Sequence, residues 1–360
     1  MDYLISAVGV LLAFGVVIFI HEMGHFLVAK WNGVKVERFS FGLGPEALGF
    51  TWGETRYCLA WIPLGGEVRM AGEMEPGADL TAVRDPREFF AKTWYQRVSI
   101  VLAGPAMNYV LAWGLFVFVF LLWGNPSPSG DPVVGELLEG GAAQAAGLRT
   151  GDRVLSVAGK DVMSWSAMAT VIHQSPEQPV ELRVETAGVE RVLTVTPKKD
   201  PVTGTGLIGI APLIQYAPLP LRSALRQGFF QTSFWTKHTL SYLGQKIIHR
   251  EKPDLSGPIG IAGVIAKSTK SGPQDYLFLV ALISLGIGLF NLFPIPMLDG
   301  GHLVYFLWEG VFRKPVPQKA VQMANTVGMV LLIGVLVFAT YSDVRRIASG
   351  RRSSSSSVSK

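Results

Sequence analysis

One cysteine, Cys58, stands among 360 residues. The chain therefore closes no internal disulfide and offers no thiolate-rich metal site, so any metal it holds is bound through histidine and carboxylate. Charge is scarce as well: Asp, Glu, Lys and Arg make up 16% of the sequence, against roughly 25% in an ordinary soluble domain. The 32 basic residues exceed the 27 acidic ones by only five, too even a balance for a nucleic-acid partner. No internal repeat is visible, which counts against a transporter assembled from duplicated halves. What abounds is apolar. Hydrophobic residues make up 49% of the chain, with a mean hydropathy of +0.34, and this points to a membrane.

Windows free of Asp, Glu, Lys and Arg that could cover a hydrocarbon core of roughly 30 Å, about 20 helical residues, occur at 3–20, 98–130, 276–298 and 320–342. A further charge-free stretch, 201–221, carries four prolines and reads as a linker. The first window is short and N-terminal, like a secretory signal. No basic region precedes it, however, and its helical pattern runs on through HEMGHFLVA to Ala29, so it reads as a retained span. Lysines and arginines near the span ends set the orientation. Lys30, Lys35 and Arg38 follow the first span, Arg87, Lys92 and Arg97 precede the second, and Arg313, Lys314 and Lys319 lie between the third and fourth. These three groups share one side, which the rule makes the cytoplasm, and the N-terminus and the segment from about 125 to 275 fall outside. Arg345, Arg346, Arg351 and Arg352 then fall outside too, against the same rule.

Between the second and third spans, 131–199 switches to short β-like runs (PVVGEL, RVLSVAG, VELRVE, RVLTVTP) broken by Gly, Pro and Asp turns. Within it, Ala146-Gly147-Leu148 and Gly151-Asp152 ahead of a strand resemble the PDZ family, whose members add an extended peptide to a sheet edge. A β-rich spacer without a ligand is the alternative. From 219 to 252, Leu221, Leu225, Phe229 and Phe234 recur at near-helical spacing among Arg222, Arg226, Lys237, Lys246 and Arg250. This fits a helix lying on the membrane surface or one packed on the soluble domain. In the first loop, RFSFGLGP and TRYCLAWIPLGGEVRMAG alternate loosely, as in a β-hairpin near the membrane face.

The expected architecture is an α-helical membrane protein with four transmembrane helices, a membrane-associated β-hairpin and one extracytoplasmic PDZ-like β-rich domain. Its expected divisions are 1–124 for the first half of a membrane core, 125–211 for the PDZ-like domain and linker, and 212–275 for an amphipathic helical connection. The second half of the core follows at 276–345, and 346–360 forms a disordered basic, Ser-rich tail.

Ionisable residues inside a span are costly and face protein, water or a metal, and the first span holds His21, Glu22 and His25 in HEMGH. On a helix the two histidines lie one turn apart on one face, where both reach a single zinc with Glu22 beside a zinc-bound water. Such a metal acidifies the water and polarises a scissile carbonyl while the glutamate moves the proton, which is the chemistry of peptide hydrolysis. A third protein ligand is needed. Asp299 follows the third apolar run in FNLFPIPMLDGGH, where Pro294 and Pro296 break the helix and imply a cavity; His302 competes for the role. Asn108 reads as an interhelical hydrogen bond, and His173, His238 and His249 as histidines without metal spacing.

HEMGH, NLFPIPMLDGGH and the PDZ-like insert together resemble the site-2 protease family of intramembrane zinc metalloproteases. The likeness to its bacterial regulator-of-sigma-E branch extends through Ala103-Gly104-Pro105, Asn108, SGPIGI at 256–261 and the GLGP and PLGG turns. The resemblance implies His21, His25 and Asp299 as ligands of Zn2+ and Glu22 as acid/base. It implies Asn291 as a residue holding the substrate or transition state, and the hairpin with Gly65 and Gly66 as a membrane-embedded substrate-binding element. It further implies location in the bacterial inner membrane. The implied substrates are single-span membrane proteins, such as anti-sigma factors or remnant signal peptides, already shortened by an upstream site-1-type protease. A membrane-anchored PDZ adaptor without proteolysis is the alternative function. Unlike the best-known members, the chain has room for one PDZ-like unit rather than two.

Overall fold

Four helices in the computed structural model are long and apolar enough to cross a membrane: Leu4–Trp31, Trp94–Leu122, Pro273–Asn291 and Gln318–Arg346. The structure describes residues 2–73, 85–138, 140–200, 203–249 and 257–356. Two compact units result, one of residues 1–121 with 220–360 and one of 122–219.

The first unit opens with α1 (Asp2–Trp31), β1 (Val36–Trp52), β2 (Thr55–Met70) and α2 (Trp94–Leu122). The expected hairpin is larger than a hairpin. Residues 36–41 pair on one side with 56–59 and on the other with 66–70, while 46–52 pair with the far side of 55–60. Both long strands fold back on themselves at glycines in left-handed conformations, Gly42 (φ +93°) and Gly65 (φ +96°), which only a residue without Cβ adopts at no cost. The result is a sheet of four segments, and beyond its pairing with 39–41 the outer stretch 66–68 meets no further strand among the described residues. Its outer segments present Leu48, Phe50, Trp52 and Trp61 to the surroundings. At the sheet's end Glu54 joins Lys30 (2.6 Å) and Arg87, and these two cations hold its carboxyl down to about 2, so the corner stays ionised at neutral pH. The second apolar window stops as helix at Leu122, short of 130: Gly124 takes φ +82°, and Pro126 has no N–H to continue a helix.

The second unit comprises β3 (Asn125–Pro128), β4 (Val134–Leu137), α3 (Ala142–Ala145), β5 (Arg153–Val157), β6 (Lys160–Asp161), α4 (Trp165–His173), β7 (Val180–Thr186), β8 (Val189–Val195), β9 (Lys198–Lys199), β10 (Gly206–Leu207), β11 (Ile210–Pro212) and β12 (Ile214–Ala217). Strands β6-β5-β7-β8 form a sheet over a core that includes Leu148, Val154, Met168, Ile172, Leu182 and Val184. The Gly151-Asp152 motif is explained here. Asp152 is fully buried, accepts the Arg149 N–H (2.9 Å) and the Thr186 hydroxyl (2.5 Å), and pairs with Arg191 (3.0 Å). The stretch expected as a linker is strand instead: β11 pairs with β4 and β12 with β3. Pro212 closes β11 and Pro218 follows β12, places where a missing N–H is tolerated.

The first unit resumes with α5 (Leu221–Ile248), α6 (Pro258–Ser271), α7 (Pro273–Asn291), α8 (Asp299–Phe312) and α9 (Gln318–Ser356). On α5 only Ala224 and Gly228 are buried, with Gly228 close against Val117 and Trp113 of α2. Leu221, Phe229 and Phe234 face outward, as a membrane-surface helix requires. α6 falls within the helical connection expected at 212–275 and packs Ile265 against Ala13, Val17 and Val280. Its first turn is capped from afar by buried Asp343, which accepts the N–H groups of Gly257 (3.1 Å) and Gly260 (2.8 Å). The third span ends at Asn291, and Asp299 begins α8 rather than closing that span. α9 continues through the expected tail to Ser356, since extending a nucleated helix through Arg and Ser costs little; 357–360 lie outside the described residues.

α8 is fixed to α2 by an ion pair between buried Arg97 and partly buried Glu309. Arg97 donates to Glu309 (2.5 Å) and to the Lys92 carbonyl (3.1 Å), with its guanidinium 4.8 Å from the Phe306 ring centre. Arg97→Met strands Glu309 and should cost about 2–4 kcal/mol, since breaking a buried pair costs more than replacing both partners. The double variant with Glu309→Leu should recover most of the loss in thermal unfolding of the detergent-solubilised protein.

Candidate metal centre

His21 and His25 project from one face of α1, and Asp299 meets them from the first turn of α8, where the helix dipole favours a carboxylate. His21 Nε2 lies 3.1 Å and His25 Nε2 3.5 Å from Asp299 Oδ2, and the two nitrogens are 3.3 Å apart. Ligands about 2.0–2.1 Å from a tetrahedral zinc stand roughly 3.3 Å from one another, so the spacing fits that ion. The chemistry of the donors agrees. Asp299 Oδ2 is buried and makes no hydrogen bond, and the His25 Nδ1–H donates to the Ile100 carbonyl (2.9 Å), which leaves the Nε2 lone pair directed at the centre.

The neighbouring sequence makes room for this convergence. At Gly104 a Cβ would stand 2.2 Å from His25 Nε2, so the glycine of Ala103-Gly104-Pro105 admits the ring. Pro294 and Pro296 end α7, and the chain then runs through tight turns to Asp299 (Ile295 N–H to Phe293 carbonyl, 2.7 Å; Leu298 N–H to Ile295 carbonyl, 3.1 Å). Gly300 and Gly301 lie beneath those turns, where a Cβ would strike the Phe293 and Ile295 carbonyls at 2.0 and 2.5 Å. Met297 adopts φ +76°, strain of about 1–3 kcal/mol that the surrounding turn imposes directly ahead of Asp299.

Asn108, read from the sequence as an interhelical hydrogen bond, makes one from α2 to α1, and its partner is the metal-facing His21. It is fully buried, its Nδ2 lies 3.1 Å from His21 Nδ1, and its Oδ1 makes no hydrogen bond. An amide's oxygen and nitrogen exchange places by a half-turn. With Oδ1 toward the ring it accepts the His21 Nδ1–H, which satisfies the orphan oxygen and directs the Nε2 lone pair to the centre. The cue in the sequence was an amide inside a charge-free span, but its partner is too distant in the chain to be read there.

Glu22, Gly65, Gly66, Asn291, His302 and Asn325 join the three donors in lining one cavity of about 580 Å³. Glu22 packs against the sheet edge, where a Cβ on Gly66 would meet its Cγ at 2.6 Å. His302, the competing third ligand, is not among the donors that converge; burial pushes its imidazole pKa down, and its ring stacks on Phe306. Asn325 went unnoticed in the sequence.

A water-activating metal site of the two-histidine, one-carboxylate kind with a glutamate at its side belongs to the metallohydrolases, here one carried on membrane-type helices. The family model "Peptidase family M50" matches residues 9–335, and the chain belongs to that family: it is a metalloendopeptidase and a membrane protein. Among its relatives, "Zinc metalloprotease RasP" of Geobacillus kaustophilus is 32% identical over 95% of this chain and 98% of its own. A relative in Clostridium acetobutylicum is 35% identical over 93% and 96%. The PDZ domain of the SdrC-like protein from Listeria monocytogenes is 19% identical, with a TM-score of 0.21, over 23% of this chain and 88% of that one.

Gly104→Ala should displace the His25 ring and strip metal from the purified protein, read by elemental analysis, while far-ultraviolet circular dichroism stays unchanged. Asn108→Leu should weaken metal binding about 10- to 100-fold, as loss of a ligand's hydrogen-bond partner does, in a competitive chelator titration.

Proposed function

We propose that the protein is an intramembrane zinc metalloprotease of the bacterial cytoplasmic membrane. It hydrolyses peptide bonds within the transmembrane segments of single-span proteins after a site-1-type protease has made a first, extracytoplasmic cut. Anti-sigma factors and remnant signal peptides are the substrate classes expected, and the PDZ-like insert faces the extracytoplasmic side. The observation that carries this reading is the convergence of Asp299, from the start of α8, on His21 and His25 beside Glu22 in a helix apolar enough to span a bilayer.

His21, His25 and Asp299 would hold the zinc, which would supply an acidified water and a polarised scissile carbonyl. Glu22 takes the proton of the attacking water and delivers it to the leaving amine; as the water oxygen bonds to the carbonyl carbon the C–N bond breaks, yielding a carboxylate and an amine. A transmembrane helix hides its carbonyls in internal hydrogen bonds, so the substrate must unwind first. The edge at 66–68, paired with a strand on one side only among the described residues and brought against Glu22 by Gly66, supports addition of the unwound segment as a further strand. Asn291, in the same cavity, holds that segment.

The test is a detergent-purified protein reconstituted with a single-span substrate, with bound zinc measured in parallel. Glu22→Gln should lose about 10²- to 10⁴-fold in rate, as removal of a general base does, and keep its zinc; His21→Ala should lose both. Equal cleavage by wild type and both variants would overturn the assignment. Strand addition is checked separately by replacing substrate peptide bonds one at a time with esters. The rate should fall at alternate residues, because an extended chain turns successive backbone groups to opposite sides. A flat profile would remove the sheet edge from the mechanism.

A further inference from the structure

An extended segment has two edges, and the sheet at 66–68 serves one of them. In surroundings this apolar, backbone groups on the other edge are costly to leave without partners, so the rest of the cavity wall has to supply them. α9 contributes one described side chain to that wall, Asn325. Its Oδ1 is buried and accepts no hydrogen bond from the protein. The nearby hydroxyl of Thr326 is satisfied along the helix, donating to the Gln322 carbonyl (2.9 Å). Gly328, nearly one turn further on, lies against Pro296, where a Cβ would meet the Pro296 carbonyl at 2.6 Å. The Asn325 region of α9 is thereby held beside the turn that leads into Asp299. An amide oxygen desolvated without a partner inside a span adds nothing to stability; its chemistry is that of an acceptor awaiting a donor.

We infer that Asn325 is a positioning residue of the proteolytic reaction, its Oδ1 accepting a backbone N–H from the edge of the unwound substrate that the sheet leaves free. The acceptor fixes the register of the extended segment, and with it the peptide bond that reaches the metal centre. This rests on the proteolytic reading above.

The test pairs Asn325→Leu, which keeps the volume and removes the amide, with substrates carrying a single backbone N-methyl group at successive positions. Asn325→Leu should bind zinc as wild type does and lose about tenfold in kcat/KM, the scale of one buried hydrogen bond. N-methylation at one position should cost the wild type a similar factor and cost Asn325→Leu nothing more, and ester replacement at that same position should likewise slow the wild type but not Asn325→Leu. A purely structural role for Asn325 would make the losses multiply at every position, and that result, or full activity in Asn325→Leu, overturns the inference. Should the Leu variant lose its zinc, Asn325→Ala is read in the same way. Failure of the proteolytic reading shows itself separately, as a wild type that does not cleave or a Glu22→Gln variant that cleaves as fast.

Discussion

Two imidazole nitrogens and a carboxylate oxygen stand 3.1 to 3.5 Å apart with their lone pairs turned to a single point. Left alone, such an arrangement repels itself, and only a cation or a shared proton makes it favourable. The core around it is organised to prevent escape. Gly104 removes the one atom that would fill the place of the His25 ring, the Ile100 carbonyl and Asn108 hold the two rings from behind, and the turns after α7 deliver Asp299. These supports come from α1, α2 and α8, elements far apart in sequence, and the Arg97–Glu309 pair ties the last two together.

The apolar surroundings sharpen each of these demands. In water a misplaced ring or a broken helix end is solvated at little cost, whereas inside a span every polar group must find a protein partner, a metal or a substrate. Turns at the PIP segment close their own hydrogen bonds, and Asp343 caps α6 from another helix. Two of the buried groups left without a partner, Asp299 Oδ2 and Asn325 Oδ1, line the cavity, and on the reading proposed above a metal and a substrate backbone supply what the fold omits there.

How much of this could be read beforehand varied with the range of the interaction. HEMGH is local: one helical turn puts both histidines on a face, and an apolar flank gives them a reason to be there. Asp299 was legible because two prolines announced a break beside a carboxylate, although the break made it the start of a helix instead of the end of one. Asn108 was visible as a polar residue in a span, but its partner lies 87 residues away. The fourth segment of the sheet was hidden because glycine bends divide two continuous strands, and prolines disguised 206–217 as a linker when they mark strand ends. α6 lies inside the helical connection expected at 212–275, but its own bounds were not legible because its sequence mixes small, apolar and basic residues and its cap comes from α9.

Asn125 and Ala217 face each other as the outermost pair of β3 and β12, so the second unit leaves and rejoins the rest of the chain at neighbouring points. A unit attached through a single narrow stem can be lengthened, exchanged for another of similar stem or doubled in tandem while the spans it interrupts keep their spacing. Diversification of the second unit is in that sense uncoupled from the geometry of the metal centre.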